Sequence, residues 1–403
     1  MPVALLALAV AAFGIGTTEF VMMGLLPEVA DDLGTSVPTA GHLVSAYAIG
    51  VVIGAPLLTA AGVRVPRRRM LVALMALFTV GNLASALAPG FGTLLAGRVL
   101  AGLPHGAFFG VGAVVAAQLV APERRARAVA TMFLGLTVAN IVGVPAGTAL
   151  GQQLGWRATF LVVTAIGLLA MLALYALVPR LPLARGGGLG GEVRALADRQ
   201  VLLGLLTAVF GFAGVFAVYS YLAKMTTELT GLSATAVTGV LALFGIGMTL
   251  GALAAGPLTD RALRPTLYGS LAALAALLLV FRYTVHSTVP ALVTVTLIGA
   301  VGFMTTTPLQ MLVMNNARSA PTLASASNHS AFNLANAGGA WLGGAAIAAG
   351  WGWDSPMLVG AVLAAVGLVL ALLGGALDRD GSRLSRVVAR SRRTTERSDI
   401  SVG

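Results

Sequence analysis

Twelve mostly apolar runs of about 20 residues dominate the sequence, and short polar or Gly/Pro-marked turns separate them. Each run is long enough to cross a bilayer as a helix. Backbone polar groups in hydrocarbon must be satisfied within the spanning structure, so such runs predict helices. The sequence therefore predicts an all-α membrane protein. The predicted transmembrane helices cover residues 4–26, 39–61, 70–88, 91–119, 128–151, 157–179, 201–222, 235–258, 266–285, 289–313, 326–349 and 356–377.

Composition excludes a soluble globular protein. Of 403 residues 58% are hydrophobic and 10% are charged, whereas soluble proteins carry about 25% charged residues. Cysteine is absent, which removes disulfides, thiol nucleophiles and Cys-ligated metals. The spans contain no nucleophile, metal or paired-carboxylate cluster, and the chain has no Gly-rich ATP-binding loop with lysine. We therefore expect neither an enzyme nor a cofactor, and direct ATP coupling is excluded.

The distribution of basic residues predicts the orientation in the membrane. If the N-terminus is inside, fourteen of the 25 Arg and Lys lie in inner loops and seven more lie in the tail. The outer loops then hold only Arg157, Lys224 and Arg282. The positive-inside rule thus predicts that both termini are cytoplasmic in a bacterial inner membrane. It also assigns the net charge of +11 to loops facing anionic lipid, and not to nucleic-acid binding.

The sequence repeats itself at a shift of 197 residues. The segment 47–67, YAIGVVIGAPLLTAAGVRVPR, aligns without a gap on segment 244–264, FGIGMTLGALAAGPLTDRALR. This predicts two parallel six-helix halves, with a binding site between them near the membrane midplane, as in transporters. We expect a monomer. The predicted parts are the first half (1–179), a cytoplasmic linker (180–200), the second half (201–378) and a disordered basic cytoplasmic tail (379–403).

Two loops resemble the gating loops of the major facilitator superfamily. GPLTDRALR (256–264) resembles the loop between helices 8 and 9, and TAAGVRVPRRR (59–69) resembles its counterpart between helices 2 and 3. Val63 stands where the first copy should hold an acid, so this copy is either a gate or a plain positive-inside loop. The resemblance implies gating residues Arg64, Arg67, Asp260, Arg261 and Arg264, and Pro145 in helix 5.

Three further motifs resemble the twelve-span drug/proton antiporter branch of that superfamily. They are TTEFVMMGLLPE (17–28) in helix 1, LLAGRVLAGLPHG (94–106) in helix 4 and GLTVANIVGVPAGTALG (135–151) in helix 5, where Val144 replaces the usual glycine. The nearest subgroup contains chloramphenicol-resistance and sugar-efflux-like exporters. The resemblance implies proton-driven export of small amphipathic compounds, antibiotics included, by alternating access. Export of a sugar, nucleoside or other metabolite is the alternative, and an uncoupled facilitator or membrane sensor is the alternative of another class.

Glu19 is the only acid well inside a predicted span, and Arg98 is the only cation there. Each lies seven residues from the outer end of its helix, or roughly 10 Å deep. We expect the two at matched depth as a pair, either a static ion pair or a proton-coupling site. His105 follows Arg98 by seven residues on the same helix face, where it either relays protons or packs. His329 is interpreted as structural.

Flexible methionines and aromatic rings near the predicted site suit a variable amphipathic substrate. Each such side chain alone more often packs or faces lipid. The predicted substrate-binding residues are Met22, Met23, Phe108, Phe109, Asn140, Phe212, Phe216 and Tyr219.

Overall fold

The computed structural model describes residues 3–35, 37–181, 197–317 and 320–400, and this part of the chain is helical without a strand. The first half contains α1 (Ala4–Gly24), α2 (Leu26–Asp32), α3 (Val37–Ala61), α4 (Arg67–Ala86), α5 (Phe91–Gln118), α6 (Arg125–Val138), α7 (Val144–Leu154) and α8 (Trp156–Leu177). The second half contains α9 (Arg199–Tyr219), α10 (Leu222–Glu228), α11 (Ala234–Thr284), α12 (Thr288–Met304), α13 (Thr306–Asn316), α14 (Pro321–Ala348) and α15 (Ser355–Ile400).

The twelve-helix prediction is confirmed, although only ten described segments combine the length and apolar composition of a membrane span. One of these segments, residues 239–284, contains two predicted spans and is broken by non-helical backbone at Ala262. The remaining predicted span is α14, which is too polar to qualify by composition. Contact with lipid therefore cannot explain the buried polar side chains of this helix.

Proline explains the interruption of the fifth predicted span. This span is divided into α6, a π-helical turn at Ala139–Gly143 and α7. Pro145 is the second residue of α7 and has no backbone N–H, so it cannot donate to the carbonyl of Ile141. A π-turn at this position accommodates the missing hydrogen bond without ending the span.

The repeat found in the sequence is also present in the helix packing. A Cβ atom at Gly54 of α3 would overlap the backbone of Leu103 in α5. A Cβ atom at Gly251 of α11 would overlap the backbone of Ala300 in α12 in the same way. Both members of the second pair lie 197 residues after those of the first. Glycine therefore permits equivalent close helix contacts in the two halves.

The two halves meet along a limited set of helices. Helices α3, α5 and α6 of the first half contact α11, α13 and α14 of the second half. We call the end of the bundle with the α3–α4 and α5–α6 connections, which include Arg64 and Arg124, the arginine-rich end. The opposite end, with the α4–α5 connection at residues 87–90, is the arginine-poor end.

The last helix, α15 (Ser355–Ile400), runs past the end of the predicted span at residue 377. Disorder of the basic segment 379–403 stays a prediction. Of the predicted linker 180–200, residues 182–196 lie outside the described residues.

Candidate functional site

A cavity of about 540 Å³ lies between the two halves, toward the arginine-poor end. Helices α1 and α3 form one wall, and α9 and α14 form the other. Most of its surface is apolar. The first half contributes Glu19, Phe20, Met23, Val44, Ser45, Tyr47, Ala48, Ile49, Val52 and Ile53, and the second contributes Phe216, Ser220, Asn333, Leu334, Asn336, Ala337 and Ala340.

Asp260 closes the opposite, arginine-rich end of the interface between the halves. Its carboxylate accepts hydrogen bonds from the backbone N–H groups of Ala126 (2.8 Å) and Arg127 (3.2 Å) in the first turn of α6. The Arg127 Nε atom also lies 3.5 Å from the Asp260 carboxylate. The first N–H groups of a helix have no partner within the helix and attract negative charge. This acid therefore joins α11 of the second half to α6 of the first.

Arg67 makes a second connection between the halves at the same end. Its Nη1 donates to the Thr322 hydroxyl at 2.6 Å, at the start of α14. At the 197-residue shift, Thr322 is the equivalent of Arg125 at the start of α6. Both loop copies thus hold the N-terminus of a helix in the opposite half. Asp260 does so through its carboxylate, whereas the first copy has Val63 at the equivalent position and uses an arginine instead.

The other predicted gating residues do not bridge the halves. Arg264 pairs with Asp378 within the second half. Arg64 and Arg261 are exposed. Pro145 lies beside the π-helical turn of the fifth span.

Arg98 is fully buried, but the structure shows no ion pair between it and Glu19. Its Nη1 donates to the Thr18 carbonyl (2.9 Å) and the Thr18 hydroxyl (3.1 Å), and its Nε donates to the Leu43 carbonyl (3.4 Å). The guanidinium also lies over the Tyr47 ring, 4.6 Å from its centroid. The expected direct pair is therefore replaced by contacts to Thr18, the residue before Glu19, and to Leu43 and Tyr47. These contacts join α5 to α1 and α3.

Glu19 is partly buried and faces the cavity. Arg98 is near enough to interact with it electrostatically but does not touch it. A carboxylate without a salt-bridge partner against a largely apolar wall is costly when charged and sheltered from water. Water in the open cavity can solvate the charged form, and protonation removes the cost when the cavity closes. The arrangement is suited to binding a proton from the arginine-poor end.

Tyr47 connects the cavity to His105. The Tyr47 Oη atom lies 3.0 Å from Nδ1 of His105, and Tyr47 also lines the cavity. His105 is buried and its ring contacts those of Phe109 and His329. The structure thus places His105 behind the cavity wall, and a tyrosine hydroxyl lies between it and the cavity.

Only Met23 and Phe216 of the eight predicted substrate-binding residues line the cavity. The rest correspond to the packing alternative: Met22, Phe108, Phe109 and Phe212 are buried in apolar clusters, Tyr219 stacks on Phe244 with ring centroids 4.6 Å apart, and Asn140 donates to the Leu136 carbonyl. Aromatic and methionine content alone could not distinguish these positions, because a helix places such side chains on every face.

The sequence reasoning missed the contributions of α3 and α14 to the cavity. Asn333 and Asn336 in α14 face it across from Glu19, and Oδ1 of Asn336 is buried without a hydrogen-bond partner. Amides in a membrane span are unfavourable unless they bind something. Their presence in a predicted span was therefore the signal that could have identified this wall.

Comparison with known proteins places these features in a family. Residues 8–340 match the family model of the Major Facilitator Superfamily. The inner membrane transport protein YdhP of Escherichia coli (strain K12) is 45% identical over 368 residues, which cover 90% of this chain and 93% of YdhP. A chloramphenicol resistance protein of Streptomyces lividans is 36% identical over 374 residues, with 91% and 94% coverage. The solved structure of the proton:xylose symporter XylE superposes with a TM-score of 0.75 at 18% identity, with 91% and 94% coverage.

Proposed function

Because the chain belongs to the Major Facilitator Superfamily, we propose that this membrane transporter exports small amphipathic compounds in exchange for protons. Two properties support export of this kind: a cavity that opens at one end, and an acid on the wall of that cavity. Members of the family are transporters and are not typically enzymes.

The proposal rests mainly on the position of Glu19 in the cavity wall. It faces the cavity from α1 without a salt bridge, so proton binding neutralises it with no ion pair to break. A neutral carboxyl costs less to enclose than a charged carboxylate. Proton binding therefore favours closure of the arginine-poor end, and proton release after the opposite end opens favours the return step.

The orientation follows from the distribution of arginine. If the arginine-rich end is cytoplasmic, as the positive-inside rule predicts, the cavity opens to the outside. Asp260 and Arg67 then close the cytoplasmic end. Protons enter from outside, and substrate enters when the halves rock to open the cytoplasmic end.

The cavity wall supports an amphipathic substrate. Met23, Phe20 and Phe216 offer apolar surface, while Asn333 and Asn336 offer hydrogen bonds. The relative named a chloramphenicol resistance protein is consistent with export of antibiotics. The two amides also favour the second candidate, a sugar, nucleoside or other metabolite with hydroxyl groups.

Proton flux in proteoliposomes tests the proposed exchange against an uncoupled facilitator. Purified protein is reconstituted with a pH-sensitive dye in the lumen and a pH gradient across the membrane. We expect a transported compound, identified by screening drugs and metabolites, to dissipate the gradient faster in vesicles with the protein than in protein-free vesicles. Substrate movement that neither consumes nor responds to the gradient would establish a facilitator.

A further inference from the structure

Two buried histidines from opposite halves meet where α5 packs on α14. The ring centroids of His105 and His329 are 5.8 Å apart. His329 stacks on Phe109 at 4.5 Å and contacts Phe133 and Phe332 at 5.7 and 5.8 Å. This contact lies between the cavity and the arginine-rich end.

The backbones of α5 and α14 nearly touch beside this pair. A Cβ atom at Gly110 would lie 2.7 Å from both Cβ and N of Ala326. The contact therefore excludes water between the two helices. We call this contact, formed by His105, Phe109 and Gly110 with Ala326 and His329, the histidine seam.

The Nε2 atom of His329 is buried in the histidine seam without a hydrogen-bond partner. Leaving a buried polar atom unpaired is unfavourable, and an apolar ring at this position would avoid that cost. We expect Nε2 to have a partner in the conformation with an open arginine-rich end, where α14 has moved away from α5 and water reaches the ring. Such a partner would explain a histidine at this position.

The groups around the pair cannot balance a positive charge. His105 is the titratable neighbour from α5, and Tyr47 from α3 reaches the pair through His105. Helix α6 presents the Phe133 ring. Of its first-turn arginines, Arg127 lies beside Asp260 and Arg125 lines a separate cavity at the arginine-rich end. Helix α14 contains no acidic residue and no Arg or Lys. An imidazolium enclosed here would be unsolvated and without a counter-ion.

We propose that His105 and His329 form a second proton site, which passes protons from the cavity toward the arginine-rich end and must be neutral before that end closes. The proposal rests on the exchange proposed above. Tyr47 Oη gives its proton to His105 Nδ1 and takes one from cavity water or from the Glu19 carboxyl. The histidine pair releases one proton to water when the seam opens. The net change is one proton moved between the two ends, and reclosure cannot precede its release.

The absence of cysteine allows opening of the histidine seam to be measured directly. Val114 lies one helical turn beyond Gly110 in α5, is 4% exposed and lines a separate cavity at the arginine-rich end. In the Val114→Cys protein in detergent, the rate of thiol labelling reports opening of that end. Rates are divided by those of an exposed reference, Arg64→Cys, because thiolate content itself changes with pH.

We expect the corrected labelling rate of Val114→Cys to rise roughly threefold or more between about pH 7.5 and pH 5.5, because protons hold the seam open. His329→Phe, which preserves the aromatic packing, should remove this rise. His329→Asn should also remove the rise, and it replaces His329→Phe in the test if that variant does not fold. The two remaining histidines, His42 and His286, are exposed near the arginine-poor end, so His42→Phe and His286→Phe should keep the rise.

A corrected labelling rate that does not respond to pH in the Val114→Cys protein with both histidines intact would overturn the proposal. So would a response that survives in both His329 variants. The assay needs neither substrate nor a proton gradient, so either result leaves proton-driven export to be decided by the flux measurement. If proton flux does not depend on substrate while the pH response of the histidine seam is intact, the result contradicts the proposed proton exchange and not the role of the histidine seam.

Discussion

At the scale of residues, the sequence singled out two charged side chains inside the spans but could not predict their contacts. Glu19 and Arg98 were singled out because charge is rare inside membrane spans. Sequence spacing gave their similar depth, but it could not show that Arg98 turns to Thr18 and Leu43. Helix rotation and side-chain direction decide such contacts, and both depend on packing against neighbouring helices. For the same reason, only two of the eight predicted substrate residues reach the cavity.

Arg98→Ala should reduce the free energy of unfolding by about 3 kcal/mol or more, because it removes the buried hydrogen bonds that join α5 to α1 and α3 and opens a cavity. The loss should appear in denaturant unfolding of the detergent-solubilised protein even without substrate. Arg64→Ala removes an exposed arginine and should leave unfolding unchanged. Equal stability of the two variants would mean that the Arg98 contacts contribute little.

At the scale of elements, proline, glycine and the loop motifs were informative. Pro145 marks the interruption of its span, and Asp260, which the loop motif implied as a gating residue, holds the N-terminus of α6. Val63 left the role of the first loop copy open. The structure shows that this copy contacts the other half through Arg67, which donates a hydrogen bond to Thr322. That contact could not be predicted, because it joins residues 255 positions apart that only the packed halves bring together.

Asp260→Asn should slow transport with little change in substrate affinity. Asparagine offers one acceptor oxygen for two N–H groups and no charge for Arg127, which weakens closure of the arginine-rich end by about 1–2 kcal/mol. Turnover and substrate binding are measured separately on the same reconstituted protein. Asp378→Asn is the matched control, since Asp378 is more exposed and pairs within its own half. An Asp260→Asn protein with unchanged turnover would exclude a gating role.

At the scale of the whole molecule, apolar run length and the 197-residue repeat were sufficient to predict twelve helices in two halves. Hydrocarbon permits few alternatives, so a sequence of this composition constrains its fold strongly. Which end of the bundle is closed could not be predicted, because both conformations use the same helices. The structure shows that the arginine-rich end is closed, because Asp260 and Arg67 join the halves there and the cavity lies at the other end.

Reporter fusions test the predicted orientation. Fusions after Arg69, Arg127, within the linker 180–200 and at residue 403 should all report the cytoplasm, because arginine is concentrated in these segments. A fusion in the α4–α5 connection at residues 87–90 should report the outside and serves as the control. An external signal from the linker would contradict the arrangement of six helices on each side of it.

Efflux driven by an imposed pH gradient, compared between Glu19→Gln and the unchanged protein in proteoliposomes, is the most direct test of proton exchange. Glutamine preserves shape and hydrogen bonding but cannot bind the transported proton. We predict that gradient-driven efflux falls to the level of protein-free vesicles, while substrate binding and substrate–substrate exchange persist at least in part. Asp31→Asn, which alters an exposed acid outside the cavity, should transport normally. Full gradient-driven efflux by Glu19→Gln would contradict proton coupling through this residue.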